Sequence, residues 1–214
     1  MATVTRTRTD APESAFDGVR LYKLDVGQFQ KMIDAGIFPD GARVELLGGV
    51  LAEQMTRNPP HDYTVGALGA GLQSLLTPAH VVREEKTVIL GPRWRPEPDL
   101  AVAVGPLRRY QRVHPHLKDL VFLVEVSEST YDDDRGLKWV GYAEAKVPYY
   151  WIVNLERRAV EVYSNPVGRG KSARYRDLAH YGDGDSVPVV VDGRVIGAVA
   201  VADILPQERN QGRA

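Results

Sequence analysis

Residues 120–128 read LVFLVEVSE, and this stretch decides the fold. A short, nearly continuous apolar run rich in Val, Leu and Phe reads as a β-strand buried on both faces, the place of a central strand. The charge inside the run is Glu125. A carboxylate among such neighbours is costly to desolvate unless a cation, hydrogen bonds or a bound proton compensates it.

Upstream, EPDLAVAVG (97–105) is a second β-like segment, joined to the first by residues 106–119. That connection is long enough for an antiparallel return. One register places Asp99 opposite or near Glu125, with both side chains on one face. Adjacent carboxylates repel unless a proton or a divalent cation joins them, and one or two carboxylates plus water are ligands that suit magnesium. Each residue also has an ordinary reading: Asp99 follows Pro98 as a strand-entry residue, and Glu125 could meet an arginine. Together they favour a site.

Phosphodiester cleavage also needs a positive group near the nucleophile and the developing charge. Two residues beyond Glu125, on the same strand face, stands Ser127. The nearest suitable lysine is Lys138, within DDDRGLKWVGYAEA (132–145). From spacing alone it either points back over the strand or forms a solvated i,i+4 pair with Asp134.

Around this centre the pattern is mixed α and β. KLDVGQFQKMIDAG (23–36) has helical spacing and a glycine stop. RVELLGGVLAEQM (43–55) is a hairpin around Gly48-Gly49. Asn58-Pro59-Pro60 breaks the chain before an amphipathic helix over 61–76, with Val65, Leu68, Leu72 and Leu75/Leu76 on one face. VVREEKTVIL (81–90) reads as a strand, 133–146 as a helix ending before Val147-Pro148, and YYWIVN (149–154) with AVEVYS (159–164) as a hairpin. Tyr149, Tyr150 and Trp151 read as core. A turn-rich YGDGDS and an apolar VIGAVAVADIL follow.

The 214 residues are 43% hydrophobic and 26% charged, with a net charge of −1. That argues against a protein that merely coats DNA, yet leaves room for a local basic surface. No apolar run reaches membrane-spanning length. Cysteine is absent, which excludes disulfides, zinc–thiolate sites and a cysteine nucleophile; a cytoplasmic location is expected. Residues 1–20 read as a disordered leader, 21–206 as one domain and 207–214 as a tail. The connection PLRRYQRVHPHLK (106–118) offers Arg108, Arg109, Arg112 and Lys118 without an acidic residue. It reads either as a DNA phosphate clamp or as a solvated mobile loop.

The stretch LVEVSEST…DDDRGLKWVGYAEAKVPYYWIVN, with PEPDLAVA before it and VELLGGVLAEQM…PPHDYTVGALGAGL earlier, resembles the Uma-two family of endonuclease-like proteins, a branch of the PD-(D/E)XK superfamily. The resemblance covers about residues 22–206. Gly48, Lys146 and Asn154 depart from the family pattern, at turns and helix ends. It implies an α/β (α+β), restriction-endonuclease-like fold: a mixed central sheet flanked by helices, with an N-terminal helix and hairpin. It further implies a magnesium-dependent endonuclease acting on DNA, with manganese a substitute. Asp99, Glu125 and the backbone carbonyl of Val126 would hold the metal, Lys138 would be the superfamily lysine moved from strand to helix, and Glu45 would be an additional acidic residue. His61, at its helix start, either approaches the site with Ser127 behind the ligands or is an ordinary first-turn residue. Homodimers acting on two-fold DNA sites are common among such enzymes. The rival reading is a catalytically silent nuclease fold that binds nucleic acid or protein.

Overall fold

A six-stranded mixed sheet carries the residues singled out above. The computed structural model describes residues 20–54, 57–128 and 131–207. Helix α1 (Val26–Asp34) precedes the hairpin of β1 (Val44–Leu47) and β2 (Val50–Glu53), and then α2 (Pro59–Leu75). The sheet follows as β3 (His80–Glu84), β4 (Leu100–Val104), β5 (Leu120–Ser127), β6 (Tyr149–Asn154), β7 (Ala159–Val167) and β8 (Arg174–Gly182), in that spatial order. Strands β5 and β6 run parallel and the other neighbours antiparallel. The parallel pair is linked by α3, which runs Tyr131–Asp133, passes through a π-turn at Asp134–Lys138 and continues Trp139–Ala145. A separate hairpin, β9 (Ser186–Val191) with β10 (Arg194–Ala200), and one helical turn, α4 (Val201–Ile204), complete the chain. The expected leader and tail lie outside the described residues, apart from Arg20 and Gln207.

Local chemistry explains most boundaries. Asp25 and Gln28 close a capping box on α1, and Gly48 and Gly49, at φ 60° and 85°, make the tight β1–β2 turn. Asn58-Pro59-Pro60 is not a break before α2 but its beginning. The Asn58 side chain caps the His61 N–H at 3.1 Å, and the prolines fill first-turn positions where a missing N–H costs nothing. Residues 81–90 are not one strand either: β3 ends at Glu84 because Glu85 turns the chain at φ 52°. Beyond it, Ile89 and Gly91 join isolated bridges to His116 and Trp94. YGDGDS proves to span the β8–β9 turn, and VIGAVAVADIL divides at Ala200 into β10 and α4. Lys146 takes the left-handed position after α3, at φ 69°. Among the described residues, no helix is long and apolar enough to cross a membrane.

Strand alternation divides the core. Phe122, Val124 and Val126 pack with Val65, Leu68 and Leu72 of α2 and with the β9–β10 hairpin. On the other face, Leu123 and Ile152 pack with Tyr142, Ala143, Tyr150, Tyr163 and Tyr175 beneath α3. Each such side chain contributes about 1.5–3 kcal/mol by leaving water. Glu125 and Ser127 share this second face by their alternation with Leu123. Trp94 lies against Gly141 of α3 so closely that a Cβ there would sit 2.0 Å from its ring. Gly141→Ala should therefore cost about 1–3 kcal/mol by overpacking, lowering Tm by several degrees in a thermal melt. Gly136→Ala, with nothing within 4 Å of its Cβ position, should leave Tm unchanged or raise it.

Candidate active site

The β4–β5 register pairs Leu100 with Val124 and Ala101 with Leu123, which sets Asp99 across from Glu125. Asp99 stands one residue before β4, where the ladder has ended, and its Oδ2 accepts the Val126 N–H at 2.8 Å. The same oxygen meets His61 Nε2 at 3.2 Å, while Oδ1 accepts from Arg57 at 3.3 Å. Arg57 also pairs with Glu85, the residue that turns the chain after β3. Burial opposes the charge on Asp99, but His61, Val126 and Lys138 outweigh it and hold its pKa below the usual carboxylate value. Burial likewise opposes a charge on His61, and the Asp99 contact reverses this and raises its pKa.

Glu125 is 3% exposed. Its Oε1 accepts from the Tyr142 hydroxyl at 2.8 Å and lies 3.0 Å from Lys138 Nζ. Among the described residues, no hydrogen bond to its Oε2 is found. Burial, reinforced by Asp99, Asp134 and Glu45, pushes the Glu125 pKa well up despite Lys138. The Lys138 ammonium also lies 3.7 Å from Glu45 Oε2 and 3.8 Å from Asp134 Oδ1. Burial works against its charge, but Glu125, Glu45, Asp134 and Asp99 prevail and raise its pKa. Lys138 thus points back over the strand and also lies beside Asp134, with 15% of its side chain exposed. Asp134 is fixed in turn by the Ser127 hydroxyl at 2.5 Å, and Glu45 by the Glu97 N–H at 2.6 Å.

Asp99, Glu125, Lys138, Glu45, Val126, His61 and Ser127 therefore gather at one end of the sheet. Arg108, Arg109, Arg112 and Lys118 do not join them. The connection 106–119 leaves β4 at Val104 and enters β5 at Leu120, the opposite strand ends, roughly 15 Å away at about 3.4 Å per residue. Arg109 is committed to Asp119 at 2.7 Å. The loop is attached at those far strand ends, and its later part returns to bridge Ile89 through His116. Sequence reasoning missed Arg57 and Tyr142. Arg57 carried no local signal, whereas Tyr142, four residues after Lys138, lies on the same helix face.

The family model for Uma2, described as "Putative restriction endonuclease", matches residues 26–194. The chain belongs to this family. A solved structure of a putative nuclease belonging to DUF820, from Anabaena variabilis ATCC 29413, shares the fold at a TM-score of 0.59 and 14% identity, covering 85% of this chain and 97% of that one. No curated protein matches the sequence.

Among the described residues of this Uma2 member, no three His, Asp or Glu side chains converge into a metal cage. What the site does offer is hard oxygen: Asp99, and Glu125 with an Oε2 to which no hydrogen bond is found among the described residues. That donor set fits magnesium, which takes one or two carboxylates and fills its octahedron with water and substrate oxygens. The buried acids depend on their one lysine. Lys138→Met should cost about 3–5 kcal/mol, the usual penalty for stranding buried charge. Adding Glu125→Gln should recover part of that loss, seen as non-additivity in a denaturation double-mutant cycle.

Proposed function

We propose that the protein is a magnesium-dependent endonuclease that hydrolyses DNA phosphodiester bonds, manganese serving as substitute. The observation carrying this reading is the Lys138 ammonium, largely shielded and 3.0 Å from Glu125, beside an Asp99 that the register sets across from that glutamate. Asp99, Glu125 and the Val126 carbonyl would hold the metal. In a strand, one residue's N–H and C=O point to the same side, so a Val126 N–H directed at Asp99 implies a carbonyl directed there too. When bound, magnesium supplies Lewis-acid polarisation of the phosphodiester and a more acidic water.

The chain's own residues do the rest. Lys138 orients the attacking water and offsets negative charge as the phosphorus becomes five-coordinate. Glu45 holds the ammonium from the hairpin side. His61 and Arg57 fix the Asp99 carboxylate in place and keep it ionised. DNA is the proposed substrate, and a homodimer and a cytoplasmic setting accompany the proposal. The rival, a silent fold that binds without cutting, is disfavoured by a lysine kept buried among acids at a cost no binding module requires.

Supercoiled plasmid should be nicked in magnesium or manganese and left intact in EDTA. Asp99→Ala and Glu125→Gln should each lower the rate at least about 100-fold, the usual loss for a group stabilising the transition state. Equal nicking by wild type and Asp99→Ala would dismiss the assignment. Binding of DNA without cutting in any divalent metal would favour the silent fold.

A further inference from the structure

A polyanion approaching this site meets a floor of carboxylates, in a chain whose net charge is −1. Affinity must then come from cations held at the rim. Most nearby cations are already committed. Lys138 is enclosed by Glu45, Glu125 and Asp134, Arg57 bridges Glu85 and Asp99, and Arg158 binds Asp183.

Arg157 differs. It is exposed in the β6–β7 turn, where its backbone N–H donates to Asn154 Oδ1 at 2.8 Å. Its guanidinium lies over the Tyr131 ring, 4.9 Å from the centroid. Among the described residues it has no carboxylate partner. The residue is thus held by its backbone bond and its ring contact while its side chain remains exposed. Tyr131 is itself anchored, its hydroxyl donating at 2.7 Å to Glu161. Glu161 is buried and lies in one cross-strand row with Ile152 and Glu125. Tyr131 also opens α3, the element that delivers Asp134 and Lys138. One turn on, Arg135 is exposed and feels the Tyr163 hydroxyl nearby.

Asn154, where the turn begins, pairs with Ser127, two residues along β5 from Glu125. The turn is therefore roughly 10 Å from Glu125, one strand spacing across and two residues along. Successive phosphates on one strand lie roughly 6–7 Å apart, so that is the distance to a phosphate one or two positions along. Asp132 and Glu156 are exposed beside these arginines, so the rim is not broadly basic. Recognition here needs directed contacts, which the planar guanidinium makes to phosphate in pairs.

We propose that Arg157, held over the Tyr131 ring, and Arg135 form a phosphate clamp for the DNA backbone flanking the scissile bond; the inference rests on the nuclease reading above. The test is fluorescence anisotropy with a labelled 30-base-pair duplex in EDTA, across a salt series, after thermal melts have shown each variant folded. Arg157→Gln and Arg135→Gln should each weaken binding several-fold and reduce the slope of log K against log salt by about 0.9. Tyr131→Leu, which removes the ring beneath Arg157, should weaken binding as Arg157→Gln does. Arg108→Gln and Arg112→Gln, at the far end of the sheet, should change neither quantity. If wild type binds no duplex, the clamp falls together with the nuclease reading. If wild type binds and the Arg135→Gln/Arg157→Gln double variant binds equally, the clamp alone is overturned, as it is if the 106–118 variants carry the loss.

Discussion

A single ammonium holds the floor of the site together. Lys138 lies within 3.0–3.8 Å of Glu125, Glu45 and Asp134, which come from a central strand, the N-terminal hairpin and the crossover helix. Three elements distant in sequence thus meet on one charge. Such a cluster is a poor way to gain stability, because buried ions repay their desolvation only with good geometry, and apolar residues of similar volume serve as well. Under the proposed function, its presence is better understood as the cost of holding charged groups together for chemistry.

The position of that ammonium follows from the topology. Because β5 and β6 are parallel, their connection must cross the sheet, and the crossing element is α3. The helix therefore covers the face that Glu125 shares, and a lysine on it can reach where a strand lysine would otherwise lie. At the strand position, Ser127 instead bonds Asp134 and pins the start of the helix. The π-turn over Asp134–Lys138 is a local departure from helical geometry of a kind often found at functional sites. Here both ends of that turn, Asp134 and Lys138, point into the acid cluster.

What could be read from the sequence was what depended on local pattern. The apolar run ending at Ser127 and the alternation after Asp99 announced neighbouring strands, and burial of Glu125 required partners wherever they came from. Lys138 was ambiguous because a spacing of four from Asp134 satisfies a solvated pair and a buried one alike. Arg57 was invisible: its role depends on Glu85 turning the chain at φ 52°, which periodicity does not encode. The same turn ends β3 inside a segment whose apolar residues continue. Adjacency in sequence could not place the basic connection at the site, because an antiparallel pair attaches its linker at the strand ends remote from Asp99 and Glu125.

The two carboxylates are not equivalent, and the difference bears on the proposed reaction. Asp99 accepts from Val126 and Arg57 and meets His61, and these partners stabilise its ionised form. Glu125 rests on Lys138 and Tyr142 through one oxygen, and burial pushes its pKa the other way. Environments that drive paired carboxyls apart are the usual means of giving them different tasks. A fixed, ionised Asp99 suits a permanent ligand. Glu125, which gains most from added positive charge, is the member whose state a cation would change. On that reasoning, substituting the two residues should not be equivalent in metal affinity, even where both abolish cleavage.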